Sequence, residues 1–194
     1  VLTPRERDTN REEIVADNDP AFTGERGALD RKAGTYTETG VWSDAGVGFA
    51  DAKKTYFIPD NPFIMGTARQ ANCITAGKGE VAKATWTAPF SKRGEYAVYI
   101  SYKSLPNSTK YAHYTVKHMG GTSEFCVNQQ IGGGTWIYLG TFEFDKEGSI
   151  TVDNVTPEGK KLARKSVVTA DGVKIGGGMG KVARGMDDEP VETY

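Results

Sequence analysis

Segment 111–144 constrains the fold more than any other part of the chain, because it reads as three consecutive β-strands joined by glycine turns. Between Tyr111 and His118 two different sets of side chains alternate, with the period of two that is typical of a strand. Glycines at 120–121 and 132–134 then supply the positive φ angles that tight turns require. The segment therefore predicts a β-meander.

The rest of the chain repeats these signals. Tyr96–Tyr102 is apolar on both faces, as expected for a strand that is covered on each side, and we place it at the centre of the core. Ile58–Phe63 contains two prolines and is predicted to be a loop. The fold class is thus all-β, an antiparallel β-sandwich of about eight to ten strands with jelly-roll-like connections. The predicted core residues are Tyr96, Val98, Ile100, Val116, Val127, Leu139, Phe142 and Val152, with a bulge at Gly140 that lets Leu139 and Phe142 both face inward.

Charge and hydropathy exclude several classes of partner. With 24 basic and 25 acidic residues the formal net charge is -1, so no basic field is available to bind nucleic acid. No apolar run is long enough to predict a membrane span, and the first residues do not form a signal peptide. We expect the chain to be a piece of a larger, separately targeted protein.

No catalytic or metal-binding arrangement is predicted. A Gly-x-Ser-x-Gly nucleophile turn is missing, and His113 and His118 lie five residues apart on a predicted strand, so they project from opposite faces and cannot share a metal. We therefore predict no catalytic residue, no metal site and no cofactor. The run Asp17-Asn18-Asp19-Pro20 indicates a turn, although its acids could also serve as oxygen ligands for calcium.

Two cysteines, Cys73 and Cys126, would permit one disulfide in an oxidising compartment. We favour the interpretation that they are two small buried hydrophobic residues, since a domain of this size does not require a covalent staple.

An ordered set of motifs within 114–144 resembles the golvesin and xanthan-lyase carbohydrate-binding-like domain, a β-sandwich found in exported bacterial proteins. The motifs are Tyr-x-Val-x-His at 114–118, Gly-Gly at 120–121, Val-Asn-Gln at 127–129, Gly-Gly-x-Trp at 133–136 and Leu-Gly-x-Phe-x-Phe at 139–144. The resemblance covers roughly residues 14–180 and implies a non-catalytic module in an extracellular or periplasmic protein. It also implies that Gln129 belongs to a recurring motif, as either a structural or a binding residue.

The beginning of the chain carries a second, shorter resemblance. Val1–Asp8 is similar to a segment of zinc-dependent N-acetylmuramoyl-L-alanine amidases. We accordingly predict a flanking segment of a host domain at 1–13, the golvesin-like sandwich at 14–180 and a flexible exit at 181–194. The host catalytic domain in the same chain would be such an amidase or a polysaccharide lyase, and an inserted domain would have its two ends close together.

Glycan binding requires flat aromatic faces for the C–H face of a sugar, flanked by polar groups for its hydroxyls. Trp136 follows the glycine triplet, Gln130 precedes it, and Tyr111 and His113 share one face of the neighbouring strand. We predict that these four residues bind a glycan, peptidoglycan or another polysaccharide, at one rim of the sandwich. The alternative that the sequence leaves open is a structural spacer or protein-interaction domain with no glycan binding.

Overall fold

The computed structural model describes residues 12–19, 30–50, 66–176 and 190–193, and within these ranges it contains sixteen β-strands and no helix. The strands form four sheets whose strand pairs are mostly antiparallel, and among the described residues none of the sheets closes into a barrel. The predicted all-β sandwich is confirmed.

The five-stranded sheet forms one layer. Its order is β11 (Ile137–Phe144), β8 (Gly94–Ile100), β15 (Gly172–Ile175), β1 (Glu12–Asp17) and β2 (Asp30–Ala33). All neighbours are antiparallel except β1 and β2.

The six-stranded sheet forms the facing layer and is antiparallel throughout. Its order is β16 (Val191–Thr193), β10 (Gly121–Val127), β9 (Ala112–His118), β12 (Glu147–Asp153), β7 (Lys83–Pro89) and β3 (Thr35–Thr39). A three-stranded sheet consists of β14 (Val167–Ala170), β5 (Thr67–Asn72) and β4 (Ser43–Val47), and a small parallel pair joins β13 (Val155–Thr156) to β6 (Ile74–Thr75).

The core lies between the two large sheets, where alternate side chains of each strand point inward. Trp86, Tyr96 and Tyr114 are fully buried there, and the rings of Phe90 and Phe144 stack with centroids 4.6 Å apart. Every predicted core residue is buried except Phe142, which is half-buried and packs against His118 at 4.9 Å. The strand 94–100 is buried on both faces from Tyr96 onward, as predicted.

The predicted bulge is present in β11. The pairing of β11 with β8 shifts register between Tyr138 and Gly140, which leaves Leu139 as the extra residue. Gly140 has a φ of 156°, and a Cβ there would lie 3.0 Å from the ring of Phe142. Glycine at this position lets the strand bend so that Leu139 stays buried.

The strand count exceeds the prediction because long-range contacts divide stretches that read as single strands. Asp171 separates β14 from β15, which belong to different sheets, and Cys73 separates β5 from β6. The two cysteines are not joined by a disulfide. β1 begins at Glu12 and β16 pairs with β10, so both flanks contribute strands to the sheets. The predicted loop at 58–63, the segment similar to amidases and both chain ends lie outside the described residues.

Leu139 tests the packing at the bulge, because its side chain is only 7% exposed. Leu139→Ala should lower the free energy of unfolding in urea by about 2 to 5 kcal/mol, the range for a buried leucine truncated to alanine. The control is Val41→Ala, since Val41 is 69% exposed and its truncation should change stability by less than about 0.5 kcal/mol. Equal effects of the two variants would contradict the burial of Leu139.

Candidate functional site

A groove whose floor includes glycines lies where residues 47–49, 102–104 and 133–134 meet. Its volume is about 210 Å³, and its lining residues are Val47, Gly48, Phe49, Tyr102, Lys103, Ser104, Gly133 and Gly134. Gly133 approaches the 102–104 segment so closely that a Cβ would lie 2.5 Å from the backbone nitrogen of Ser104. The glycine triplet is therefore required for the groove floor to pack on this segment, beyond its role as a turn.

Hydrogen bonds hold both walls of the groove in place. Gly134 N donates to Tyr102 O at 3.1 Å, and the Tyr102 hydroxyl donates to Ile131 O at 2.6 Å. On the other wall, Lys103 Nζ donates to Val47 O at 2.8 Å. The groove is thus built from three segments that are close in space but distant in sequence.

An aromatic and cationic cluster adjoins the groove at Phe49. The Trp136 and Phe49 rings meet edge to face with centroids 5.5 Å apart. Lys174 Nζ lies 5.2 Å from the centroid of Trp136 and 4.7 Å from that of Tyr99. Cations are attracted to aromatic faces at such distances, so Lys174 holds positive charge beside the tryptophan. Lys174 lies between the core residues Val173 and Ile175, which places it on the outer side of the five-stranded sheet.

The structure separates the four residues that were predicted to bind a glycan. Trp136 contacts Lys174 outside the five-stranded sheet, whereas His113 lies between the core residues Ala112 and Tyr114 and faces outward from the six-stranded sheet. The ring of Tyr111, the residue before β9, lies 5.3 Å from Lys160 Nζ. Gln130 is exposed at the start of the glycine loop and donates its amide to Ser108 O at 3.0 Å. Gln130 and Trp136 thus lie in the loop between β10 and β11, whereas His113 lies in β9 and Tyr111 immediately precedes it.

Gln129, from the Val-Asn-Gln motif, has a structural role. It is fully buried, and its amide nitrogen donates to the Tyr114 hydroxyl at 3.0 Å and to Thr169 O at 2.8 Å. Its amide oxygen accepts from Thr169 N at 2.8 Å. Sequence reasoning missed Phe49, Lys103 and Lys174 as site residues, and the only available signal was that Lys174 interrupts an apolar strand.

His113 lies between two carboxylates on the outer face of the six-stranded sheet. Its Nδ1 is 2.6 Å from Asp153 Oδ2, and its Nε2 is 2.8 Å from Glu124 Oε1. The hydrogen bond with Asp153 is the largest cause that raises the pKa of His113, and Glu124 adds to it, against an opposing effect of burial. The imidazolium form is therefore stabilised in the folded protein.

The described residues contain no group of three or more His, Cys, Asp or Glu side chains arranged to hold a metal ion. No helix in the described ranges is long and apolar enough to cross a membrane. The groove and the adjoining cluster of Trp136, Phe49 and Lys174 offer a ligand aromatic stacking, hydrogen bonding and positive charge.

Comparison with known proteins finds a matching family, a relative in sequence and a relative in structure. Residues 28–177 match the family described as the Golvesin C-terminal domain. The curated "Xanthan lyase" of Bacillus sp. (strain GL1) is 31% identical over 144 residues, a match that covers 72% of this chain and 13% of that protein. The solved structure of Paenibacillus xanthan lyase shares the fold with a TM-score of 0.58 at 24% identity, over 84% of this chain and 13% of that chain. The chain therefore spans a small fraction of the length of these relatives.

The pairing of His113 predicts a pH-dependent contribution to stability. Because the folded pKa is raised, the contribution is fully present below the pH at which an unfolded histidine titrates, about 6.5, and is lost as the pH rises through the folded pKa. The difference in unfolding free energy between wild type and His113→Gln should therefore fall as the pH is raised from about 5 to about 9. Chemical denaturation at several pH values measures this difference.

Two variants of carboxylate residues test whether the contact of His113 with Glu124 contributes to this pH dependence. Glu124→Gln should shrink the pH-dependent difference, because Glu124 contacts His113. Glu143→Gln should leave it unchanged, because Glu143 pairs with Arg93 at 2.9 Å instead. A difference that does not vary with pH would contradict the assignment.

Proposed function

The chain belongs to the Golvesin C-terminal domain family, and from that premise we propose that it is a non-catalytic carbohydrate-recognition module of an exported polysaccharide-degrading enzyme. Its relatedness to a segment of xanthan lyase supports an accessory role in a polysaccharide-related protein. The observation that carries the proposal is the cluster of Trp136, Phe49 and Lys174 beside a glycine-floored groove.

Each part of this cluster suits one feature of a sugar chain. The half-buried Trp136 ring offers apolar surface for the C–H face of a pyranose, and Phe49 braces it from the edge. Backbone at Gly134, where a Cβ would meet no atom within 4 Å, leaves room for a sugar ring to approach. The Ser104 hydroxyl, which accepts from Gly133 N at 3.0 Å, lines the same groove. These groups can bind a short glycan segment along the groove.

Positive charge favours an acidic polysaccharide over a neutral one. Lys103 lines the groove and Lys174 lies against Trp136, so two cations border the proposed path of the glycan. Their long-range attraction for carboxylates would add to affinity and would weaken with salt. The name of the relative, xanthan lyase, agrees with this choice of substrate class.

The groove size predicts weak binding. At about 210 Å³ it is smaller than the roughly 300 to 1,000 Å³ of pockets that enclose a small ligand, so one or two sugar units would be covered and the rest would stay in water. Little free energy remains after the cost of ordering the glycan. Such a module acts by raising the local concentration of a linked catalytic domain at its polymer.

For the parent protein, the relative favours a polysaccharide lyase over the amidase that the first residues suggested. The amidase remains a prediction, and its segment lies outside the described residues. We propose a host catalytic domain in the same chain and an extracellular or periplasmic location, because the polymer substrate of such an enzyme lies outside the cell.

A spacer without glycan binding is the competing function, and two observations favour it. Trp136 already contacts Phe49 and Lys174, and the motif residue Gln129 is used for structure. A binding measurement separates the two functions.

Affinity electrophoresis in gels that contain xanthan, a neutral β-glucan or soluble peptidoglycan fragments tests the proposal. Wild type should be retarded by xanthan, and Trp136→Ala should weaken that binding by about tenfold or more, equivalent to about 1.4 kcal/mol. Trp42→Ala is the matched control, because Trp42 is not one of the residues that line the groove and its indole donates to Thr39 O. Lys103→Gln should reduce the salt dependence of binding.

Three outcomes would count against the groove. Unchanged binding by Trp136→Ala would remove this residue from the site. Loss of binding in Tyr111→Ala instead would transfer the site to the other predicted surface. If none of the three polymers retards any of the proteins, the spacer function is favoured.

A further inference from the structure

A cluster of oxygen atoms lies where β1 ends, and the proposed function does not use it. Asp17 is the last residue of β1, and Asn18 and Asp19 follow it. They meet Thr67, the first residue of β5, and Asp171, which connects β14 to β15. Three segments from two different sheets thus converge on one point.

The hydroxyl of Thr67 sets the direction of the hydrogen bonds in this cluster. Thr67 Oγ1 donates to Asp19 Oδ1 at 2.7 Å, while Thr67 N donates to Asp19 Oδ2 at 2.8 Å. Since a hydroxyl has one proton and uses it on Asp19, it can only accept from Asn18. The Asn18 amide nitrogen accordingly donates to Thr67 Oγ1 at 2.9 Å.

This orientation turns the Asn18 amide oxygen toward other oxygens. It lies 3.0 Å from Thr67 O, 3.1 Å from Asp171 O and 3.3 Å from Asp17 Oδ1, and all three are acceptors. Reversing the amide would place its nitrogen among them, but the Thr67 proton would then be needed by both Asn18 and Asp19. With the amide in this orientation the four oxygens repel one another, and a cation in their midst would turn that repulsion into ligation.

Two buried carboxylate oxygens point to the same conclusion. Asp17 Oδ2 and Asp171 Oδ1 accept no hydrogen bond, although Asp17 is 5% exposed and Asp171 is fully buried. Burial is the largest cause that raises the pKa of both carboxyls, and repulsion from Asp171 raises that of Asp17 further. Gly172 preserves space for the Asp17 carboxylate, since a Cβ there would lie 2.6 Å from Oδ2. Buried acids in this state are ordinarily paired or bound to a cation.

We propose that this cluster binds one calcium ion through Asn18 Oδ1, the Asp17 carboxylate and the carbonyl oxygens of Thr67 and Asp171. Carboxylate, amide and carbonyl oxygens are the ligands of calcium, which it binds at about 2.3 to 2.6 Å, so neighbouring ligands lie about 3 Å apart. Magnesium has a smaller shell and keeps most of its water, which suits a set rich in protein carbonyls less well. Most of these ligands are amide and carbonyl oxygens, so the site differs from a cluster of acidic, histidine or cysteine side chains.

The ion would fix the junction of the sheets and, through it, the groove. Asp171 Oδ2 accepts from Phe49 N at 2.7 Å and from Ala50 N at 3.1 Å. A cation held beside Asp171 would favour the ionised form of its carboxyl group over the protonated form, and an ionised carboxylate accepts stronger hydrogen bonds from Phe49 N and Ala50 N. Phe49, which braces Trp136, would be positioned by the same residue.

Terbium luminescence tests the site directly, because Tb³⁺ replaces Ca²⁺ at oxygen-rich sites and is excited by a nearby indole. The Trp86 Nε1 atom is 3.3 Å from Asp171 O, so excitation of Trp86 should give terbium emission that Ca²⁺ displaces. The whole chain is stripped with EDTA, and its melting temperature is measured in EDTA, in Ca²⁺ and in Mg²⁺. Ca²⁺ at millimolar concentration should raise the melting temperature by about 5 °C or more, and Mg²⁺ by less.

Asp17→Asn should weaken calcium binding by about tenfold or more, since it removes the charged ligand. Asp44→Asn is the matched control. Asp44 accepts from Gly46 N at 2.8 Å, just as Asp17 accepts from Asp19 N at 2.9 Å, but Asp44 lies outside the cluster. This control should bind calcium as wild type does.

Asn18→Asp decides the question if Asp17→Asn does not fold. A carboxylate at 18 keeps an oxygen ligand for the ion, so this variant should fold in Ca²⁺ and bind it at least as tightly as wild type. If the amide instead donates to the three oxygens, Asn18→Asp loses those donors and is unstable with or without calcium. That result would overturn the proposal. Equal melting temperatures of wild type in Ca²⁺ and in EDTA, without terbium emission, would also overturn it, and so would an equal rise of the melting temperature in Mg²⁺.

Discussion

The buried carboxyl group of Asp171 is the constraint on which the arrangement of the sheets depends. The residue lies where the chain passes from the three-stranded sheet to the five-stranded sheet. Its side chain binds the backbone of Phe49 and Ala50, and its carbonyl oxygen accepts from the Trp86 indole and from Asn18 N, both at 3.3 Å. A buried carboxyl group is costly unless its oxygens find partners, and the bonds from Phe49 N and Ala50 N provide partners for Oδ2 of Asp171. One residue thereby joins a loop, the centre of the core and the end of β1.

The groove is a consequence of that junction. The bond to Asp171 holds the backbone of Phe49, the Phe49 ring contacts the Trp136 ring edge to face, and Lys174 completes the cluster from the strand that begins immediately after Asp171. The floor of the groove depends on Gly133, which packs so closely on residues 102–104 that a Cβ at this position would not fit. A surface positioned in this way loses little freedom when a ligand binds, and this compensates in part for its small area.

The sequence revealed the strands and the core because both depend on local alternation. Val98 and Val116 follow a period of two within strands flanked by turns, and both are fully buried. Residues 167–175, by contrast, read as one strand because apolar residues lie on both sides of Asp171, although the pair Asp171-Gly172 is of a kind that marks turns. The division depends on bonds to Phe49 and Ala50, more than a hundred residues away. The predicted meander over 111–144 is wrong for its third strand, because β9 and β10 pair in the six-stranded sheet whereas β11 pairs with β8 in the five-stranded sheet. Tyr111 and Trp136, which precede β9 and β11, are therefore next to strands of different sheets.

The Val-Asn-Gln motif indicates which features pass from the family to this chain. Gln129 connects Tyr114 of β9 with Thr169 of β14 and uses both amide hydrogens and its oxygen to do so. A fully buried amide is stable only when it is satisfied in this way, so the motif specifies packing between sheets and leaves no group of Gln129 for a ligand. Any preference among glycans must then come from residues outside the motif, such as Phe49, Lys103 and Lys174 at the groove. Two members of the family could accordingly share the sandwich and its motifs while differing in the polymer they bind, or in whether they bind one at all.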